Sequence, residues 1–98
     1  MFVAAVRADL LLPGQVRSLK QRRGIVNPLV AALRRSFEVS AADVSDPVLF
    51  GRAQIGVSAV SGAPGHAQEV LDGVERWLSD RPEVELLSVQ RRIFGLDD

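Results

Sequence analysis

The chain has 98 residues, 47% of them hydrophobic, with twelve Lys plus Arg balanced by twelve Asp plus Glu. That length supports one domain with a single core between two layers. There is no cysteine and one histidine, His66, so disulfide frameworks, thiolate metal sites and His-built zinc or iron centres are set aside, and no cofactor or metal is expected.

Phe2 to Leu12 alternates, with Phe2, Ala4, Val6, Ala8, Leu10 and Leu12 on one face and Arg7 and Asp9 on the other, the period of a strand. Pro13-Gly14 ends it. Ser18 stands as an N-cap, and Val26, Leu29, Val30, Leu33 and Phe37 fall on one stripe, which predicts a helix over residues 19–36. Pro28 lies inside and removes a hydrogen bond to the carbonyl of Gly24, so a bend or loosened turn between Arg23 and Pro28 is expected within a single helix. Phe37 to Val44 reads as a short strand closed by Ser45-Asp46-Pro47.

Gly51 to Ser61 is the third strand, Ala53, Ile55, Val57 and Ala59 alternating with Arg52, Gln54, Gly56 and Ser58. Gly56 marks a bulge or a close backbone approach. Ser61 to Gly65 opens a second helix, with Pro64 suited to its first turn and an apolar face of Ala67, Val70, Leu71, Val74, Trp77 and Leu78. Asp80-Arg81-Pro82 stops it. Glu83 to Phe94 returns to strand, where the adjacent Leu86-Leu87 suggest a bulge, and the tail from Gly95 to Asp98 is expected to fray.

The order β-α-β-β-α-β matches the split βαβ of a ferredoxin-like α+β sandwich. Its antiparallel sheet runs in the order 4-1-3-2 with both helices on one face. The other face, carrying Val3, Leu11 and Val60, is either ordinary surface or a dimer contact. The apolar run from Ala8 to Pro13 is interrupted by Asp9 and is far short of the roughly 20 residues of a membrane span. Arg7 and Asp9 also break any signal-peptide core, so a cytoplasmic, non-membrane setting is the expectation.

Charge is segregated along the chain. From Arg17 to Arg35 there are six cations, Arg17, Lys20, Arg22, Arg23, Arg34 and Arg35, and no acid; from His66 to Glu85 there are six acids and two Arg. Opposite charges on neighbouring helices can serve packing and solubility alone. Lys20, Arg22 and Arg23, however, crowd a first turn where the helix dipole favours acids, and such a cluster suits an anion such as phosphate. A polyanion fits along Lys20, Arg23 and Arg34, with Arg17, Arg22 and Arg35 in support. Arg22 falls within the apolar stripe itself, which gives it a structural reading: it overhangs the end of the core or pairs with a carboxylate nearby.

Other chemistry finds little footing. The third strand offers no aromatics in place of an RNA recognition motif's stacking residues. His66 reads as a capping or packing residue, Asp43 and Asp46 as turn acids, Trp77 as core, and Ser61 to Gly65 as a turn without a phosphate-loop signature. No set of acid, base and nucleophile is present, so no enzyme activity and no small-molecule substrate are expected.

Ser18-Leu19-Lys20-Gln21-Arg22-Arg23, Leu33-Arg34-Arg35, Phe37 to Val44, Arg52 to Val57, His66, Glu69 to Asp72 and Arg81-Pro82-Glu83-Val84-Glu85-Leu86-Leu87 together resemble the YlxP-like family, a domain of unknown function. The resemblance spans nearly the whole chain. It implies a ferredoxin-like sandwich, no assigned enzymatic activity, and bacterial genes often placed between those for translation initiation factor two and ribosome-binding factor A. That neighbourhood implies association with RNA or the ribosome. The chain departs from the family between Val44 and Arg52, where Ser45-Asp46-Pro47-Val48 replaces a Gly-His-Gln-Asp-like stretch. Two functional expectations follow: contact with structured RNA or the ribosome through the basic first helix, or a protein-interaction or homo-oligomerisation module without nucleic-acid binding.

Overall fold

Alternation at the N-terminus produces strand β1 (Phe2–Leu11), whose Ala4, Val6, Ala8 and Leu10 are buried while Arg7 and Leu11 face solvent. This computed structural model describes residues 1–96 and continues as α1 (Leu19–Ser36), β2 (Ser40–Asp43), β3 (Arg52–Ser61), α2 (Pro64–Ser79) and β4 (Glu85–Gly95). All strand pairs are antiparallel, in the order β2-β3-β1-β4, which is 4-1-3-2 read from the other edge. The fold is the ferredoxin-like α+β arrangement that the element order predicts.

The Ser18 side chain caps α1, its Oγ accepting from the Gln21 amide at 3.1 Å. The helix runs unbroken through Pro28 and buries Val26, Leu29, Val30 and Leu33. Helix α2 begins on Pro64 and buries Ala67, Leu71, Val74 and Leu78. Both helices meet the even positions of β1 and the odd positions of β3 in one core. Each fully buried Leu or Val there contributes roughly 1.5–3 kcal/mol relative to exposure.

Strand β2 is shorter than the predicted 37–44. The Phe37 amide donates back to Leu33 O at 3.1 Å and the Val39 amide to Phe37 O at 3.0 Å, so helix termination consumes these residues before pairing can start. The Phe37 ring lies over Gly73 of α2, where an added Cβ would sit 3.1 Å from Cε1. Gly56 makes no bulge, since its strand pairs continuously on both sides. It serves a close approach instead, a Cβ there being 3.0 Å from Val44 Cγ1.

The β4 bulge falls where Leu86-Leu87 suggests it. Leu10 pairs with Leu86 and Asp9 with Ser88, which leaves Leu87 unpaired and exposed. Gly95 completes β4, and the Leu96 amide donates to Met1 O at 3.0 Å. Gly95 and Leu96 are thus tied to β1 rather than frayed; Asp97 and Asp98 lie outside the described residues.

Candidate functional site

The six cations singled out in the sequence separate into one buried and five exposed side chains. Arg22 is the buried one, 3% exposed. Its Nη1 donates to Asp43 Oδ2 at 2.6 Å, its Nε to Leu49 O at 2.7 Å, and its Nη2 to Ser45 Oγ at 3.0 Å and Arg52 O at 3.2 Å. Arg22 is therefore withdrawn from the phosphate-contact set: its guanidinium is enclosed and spent on the β2–β3 loop. Its place in the apolar stripe demanded a hydrogen-bonding partner, and Asp43, partly exposed on the helix-facing register of β2 opposite Ile55, supplies it.

Ser45 completes this network. Its amide and hydroxyl donate to Asp43 Oδ1 at 3.0 and 2.6 Å, and its Oγ accepts from the Gln54 amide at 2.8 Å. Burial pushes the Asp43 carboxyl up, but hydrogen bonds from Arg22 and Ser45, with the Arg22 charge, outweigh it and hold the group below its usual 3.8.

Lys20, Arg23 and Arg34 share the outer flank of α1, Lys20 and Arg34 about 21 Å apart at about 1.5 Å per residue. Lys20 and Arg23 are exposed. Arg34 is partly engaged, donating through Nε at 3.0 Å and through Nη2 to Ala41 O of β2. Arg17 is exposed ahead of the cap, and Arg35 is exposed beside the groove between the helices with Pro28, Ala32 and Trp77. Among the described residues, no carboxylate lies within ion-pair distance of Arg17, Lys20, Arg23, Arg34 or Arg35.

The acids of α2 do not answer those cations. Asp72 and Glu75 hold Arg91 of β4 at 2.8 and 3.0 Å, and Arg91 donates further to Gln68 O at 3.3 Å. The pairing that the sequence suggested between helices is thus made between α2 and β4, a contact that needed the sheet register to be seen. Trp77 is half-buried against the core, with the Arg81 guanidinium 4.3 Å from its ring centre. His66 is exposed in the first turn of α2, not packed. Asp46 is exposed in the loop while Asp43 is taken by Arg22. Among the described residues no group of three His, Cys, Asp or Glu is placed to hold a metal, and no helix is long and apolar enough to cross a membrane.

Comparison with curated proteins returns no match. The profile of a family described as "Protein of unknown function (DUF503)" matches residues 3–91, from the start of β1 to the Arg91 that joins β4 to α2. The match takes in the buried Arg22 network and the basic flank of α1 alike, and on it the chain belongs to the DUF503 family.

Proposed function

We propose that this protein is a small non-enzymatic accessory of the cytoplasm that contacts structured RNA, on or near the ribosome, through phosphates lying along the outer flank of α1. Lys20 and Arg23 make the contacts at the N-terminal end and Arg34 at the other. Arg17 and Arg35 add long-range attraction. The observation that carries the reading is a row of cations without carboxylate partners among the described residues, on a chain whose formal net charge is zero. Local helix stability would favour acids in the first turn, yet none is there. A polyanion gives such a row a purpose, because each phosphate neutralised releases counterions.

The test is fluorescence anisotropy with structured ribosomal RNA across a salt series, comparing wild type with a Lys20→Glu, Arg23→Glu, Arg34→Glu variant whose circular dichroism melt is recorded alongside. Wild type should bind with a clear salt slope, and the folded variant should lose affinity and reduce the slope by about 2–3. Absence of binding by wild type at low salt, or equal slopes for the two proteins, rejects the reading.

A further inference from the structure

The sheet face away from the helices carries cations that the ion pairs of this chain do not use. Arg7 of β1 and Arg92 of β4 are both exposed; Arg7 stands opposite Gln90 and Arg92 opposite Ala5. That makes them diagonal neighbours, with Cα atoms about 7–8 Å apart. Among the described residues no carboxylate lies within ion-pair distance of either. Asp9, further along β1, is taken by Arg52, and Glu85 stands at the far end of β4. Between the two arginines lies a hollow of about 560 Å³ lined by Ala5, Arg7, Gln90, Arg92 and Phe94. Arg7 donates to the Gln90 side chain, and the Arg92 guanidinium lies over the Phe94 ring, 5.6 Å from its centre.

Beside these cations the face turns apolar. Val3, Val60 and Phe94 form a row across three strands, Val60 being 66% and Phe94 48% exposed. On the other side of Ala5 a second hollow, about 340 Å³, has small side chains in its floor, among them Ser40, Ala42 and Ser58.

We propose that this face binds an unpaired segment of RNA. A phosphate sits over Ala5 between Arg7 and Arg92, one base stacks on Phe94 and the apolar row, and the next nucleotide crosses the second hollow, where Ser40 and Ser58 meet its polar edge. Charge complementarity selects an anion, because Arg7 and Arg92 have no acid to neutralise them. The ring and the guanidinium beside it select an anion with flat faces to offer. A duplex presents phosphates but keeps its base faces stacked inside, which leaves Phe94 and Val60 without a partner. An acidic peptide supplies the charge and no planar group. The aromatic stands on β4, so the lack of aromatics on β3 does not bear on it. Helix α1 lies on the opposite side of the sheet, and this contact is separate from the one made by Lys20, Arg23 and Arg34.

Fluorescence anisotropy with a short labelled oligouridylate, single-stranded or annealed to oligoadenylate, provides the test. It is run across a salt series on wild type and on Lys20→Gln, Arg23→Gln, which neutralises the first turn of α1. Both proteins should bind the single strand alike and in preference to the duplex, so a failure of the α1 reading leaves this result untouched. Phe94→Ala should weaken binding at least about tenfold, and the double variant Arg7→Gln, Arg92→Gln should lower the salt slope by about 1.4, two phosphate contacts on a single strand. Amide shifts of wild type on titration with oligouridylate locate the contact without any substitution, and should fall on Ala5, Arg7, Arg92 and Phe94. Absence of binding by wild type at low salt, shifts confined to α1, a folded Phe94→Ala that binds like wild type, or displacement of the RNA by an equal charge of acidic peptide overturns the proposal.

Discussion

Arg34 of α1 closes the carbonyl of Ala41, and that carbonyl points away from the sheet. The Val44 amide bonds Gln54 O at 2.8 Å, so in the alternating antiparallel ladder residues 40, 42 and 44 face β3, while Ala41 and Asp43 present their backbone groups to the free edge. Two N–H groups of Arg34 occupy the Ala41 acceptor, which blunts an edge that would otherwise template another chain. Arg34→Ala should cost only about 1 kcal/mol, yet raise the exchange of the β3-facing amides of Ala42 and Val44 and the tendency to form higher aggregates. Arg34→Lys should keep the affinity for RNA but not the edge protection. Amide exchange indistinguishable between wild type and Arg34→Ala would remove the edge role.

Arg22→Met leaves Asp43 Oδ2 and the carbonyls of Leu49 and Arg52 without the guanidinium donor, and should destabilise the fold by about 2–4 kcal/mol, since Asp43 is partly solvated and recovers some hydration. Arg22→Lys should not rescue it, because one ammonium cannot reach acceptors from Asp43, Leu49 and Arg52 in the fork that the guanidinium fills. Urea unfolding of the two variants measures this, and a Lys variant as stable as wild type would show that the fork is dispensable.

The Asp43 carboxyl gives the network a pH signature. Its value in the folded chain lies below the usual 3.8, so its contribution is fully present above the unfolded value and is lost as pH falls through the folded one. The stability gap between wild type and Asp43→Asn should therefore be widest near neutrality and narrow steadily below about pH 4. Melting temperatures of both proteins from neutral to acid pH test it; a gap independent of pH means the carboxylate charge is not what holds Arg22.

Two glycines in helices should respond differently to alanine. A Cβ on Gly24 meets nothing within 4 Å, whereas on Gly73 it meets the Phe37 ring at 3.1 Å. Gly24→Ala should stabilise by about 0.5–1 kcal/mol, raising the melting temperature by about 2–8 °C. Gly73→Ala should gain less or lose, because the ring has to move. Equal shifts for the two variants would argue that Phe37 is free to give way.

Elements with strong periodicity were legible from the residues alone. The even positions of β1, the stripe from Val26 to Leu33 and the cap at Ser18 are local signals, and each is found where local physics puts it. The helix-to-strand passage at Phe37 was not, because β-propensity in 37–39 competes with a helix terminus needing amide donors, and the terminus wins. At the candidate site, the exposure of Lys20 and Arg23 follows from their positions on the wheel. Arg22 could be seen to need a partner, but its acceptors lie 21 to 30 residues away in sequence, and only the closed sheet brings them within reach. The same holds for Arg91, whose role on α2 depends on the β4 register after the bulge.

The manner in which Arg22 holds the β2–β3 loop has a consequence for its sequence. At Leu49 and Arg52 the guanidinium recognises carbonyl oxygens, and the Leu12 amide likewise takes Gly51 O at 2.9 Å, groups that every amino acid possesses. Val48, Leu49 and Phe50 meanwhile turn their side chains to solvent. The loop is thus framed by its main chain and by Asp43 and Ser45 at its entrance, and its apex is free to diversify. Residues 48–50 are the natural place in this protein to graft a new recognition segment, because the frame that shapes them does not depend on their side chains.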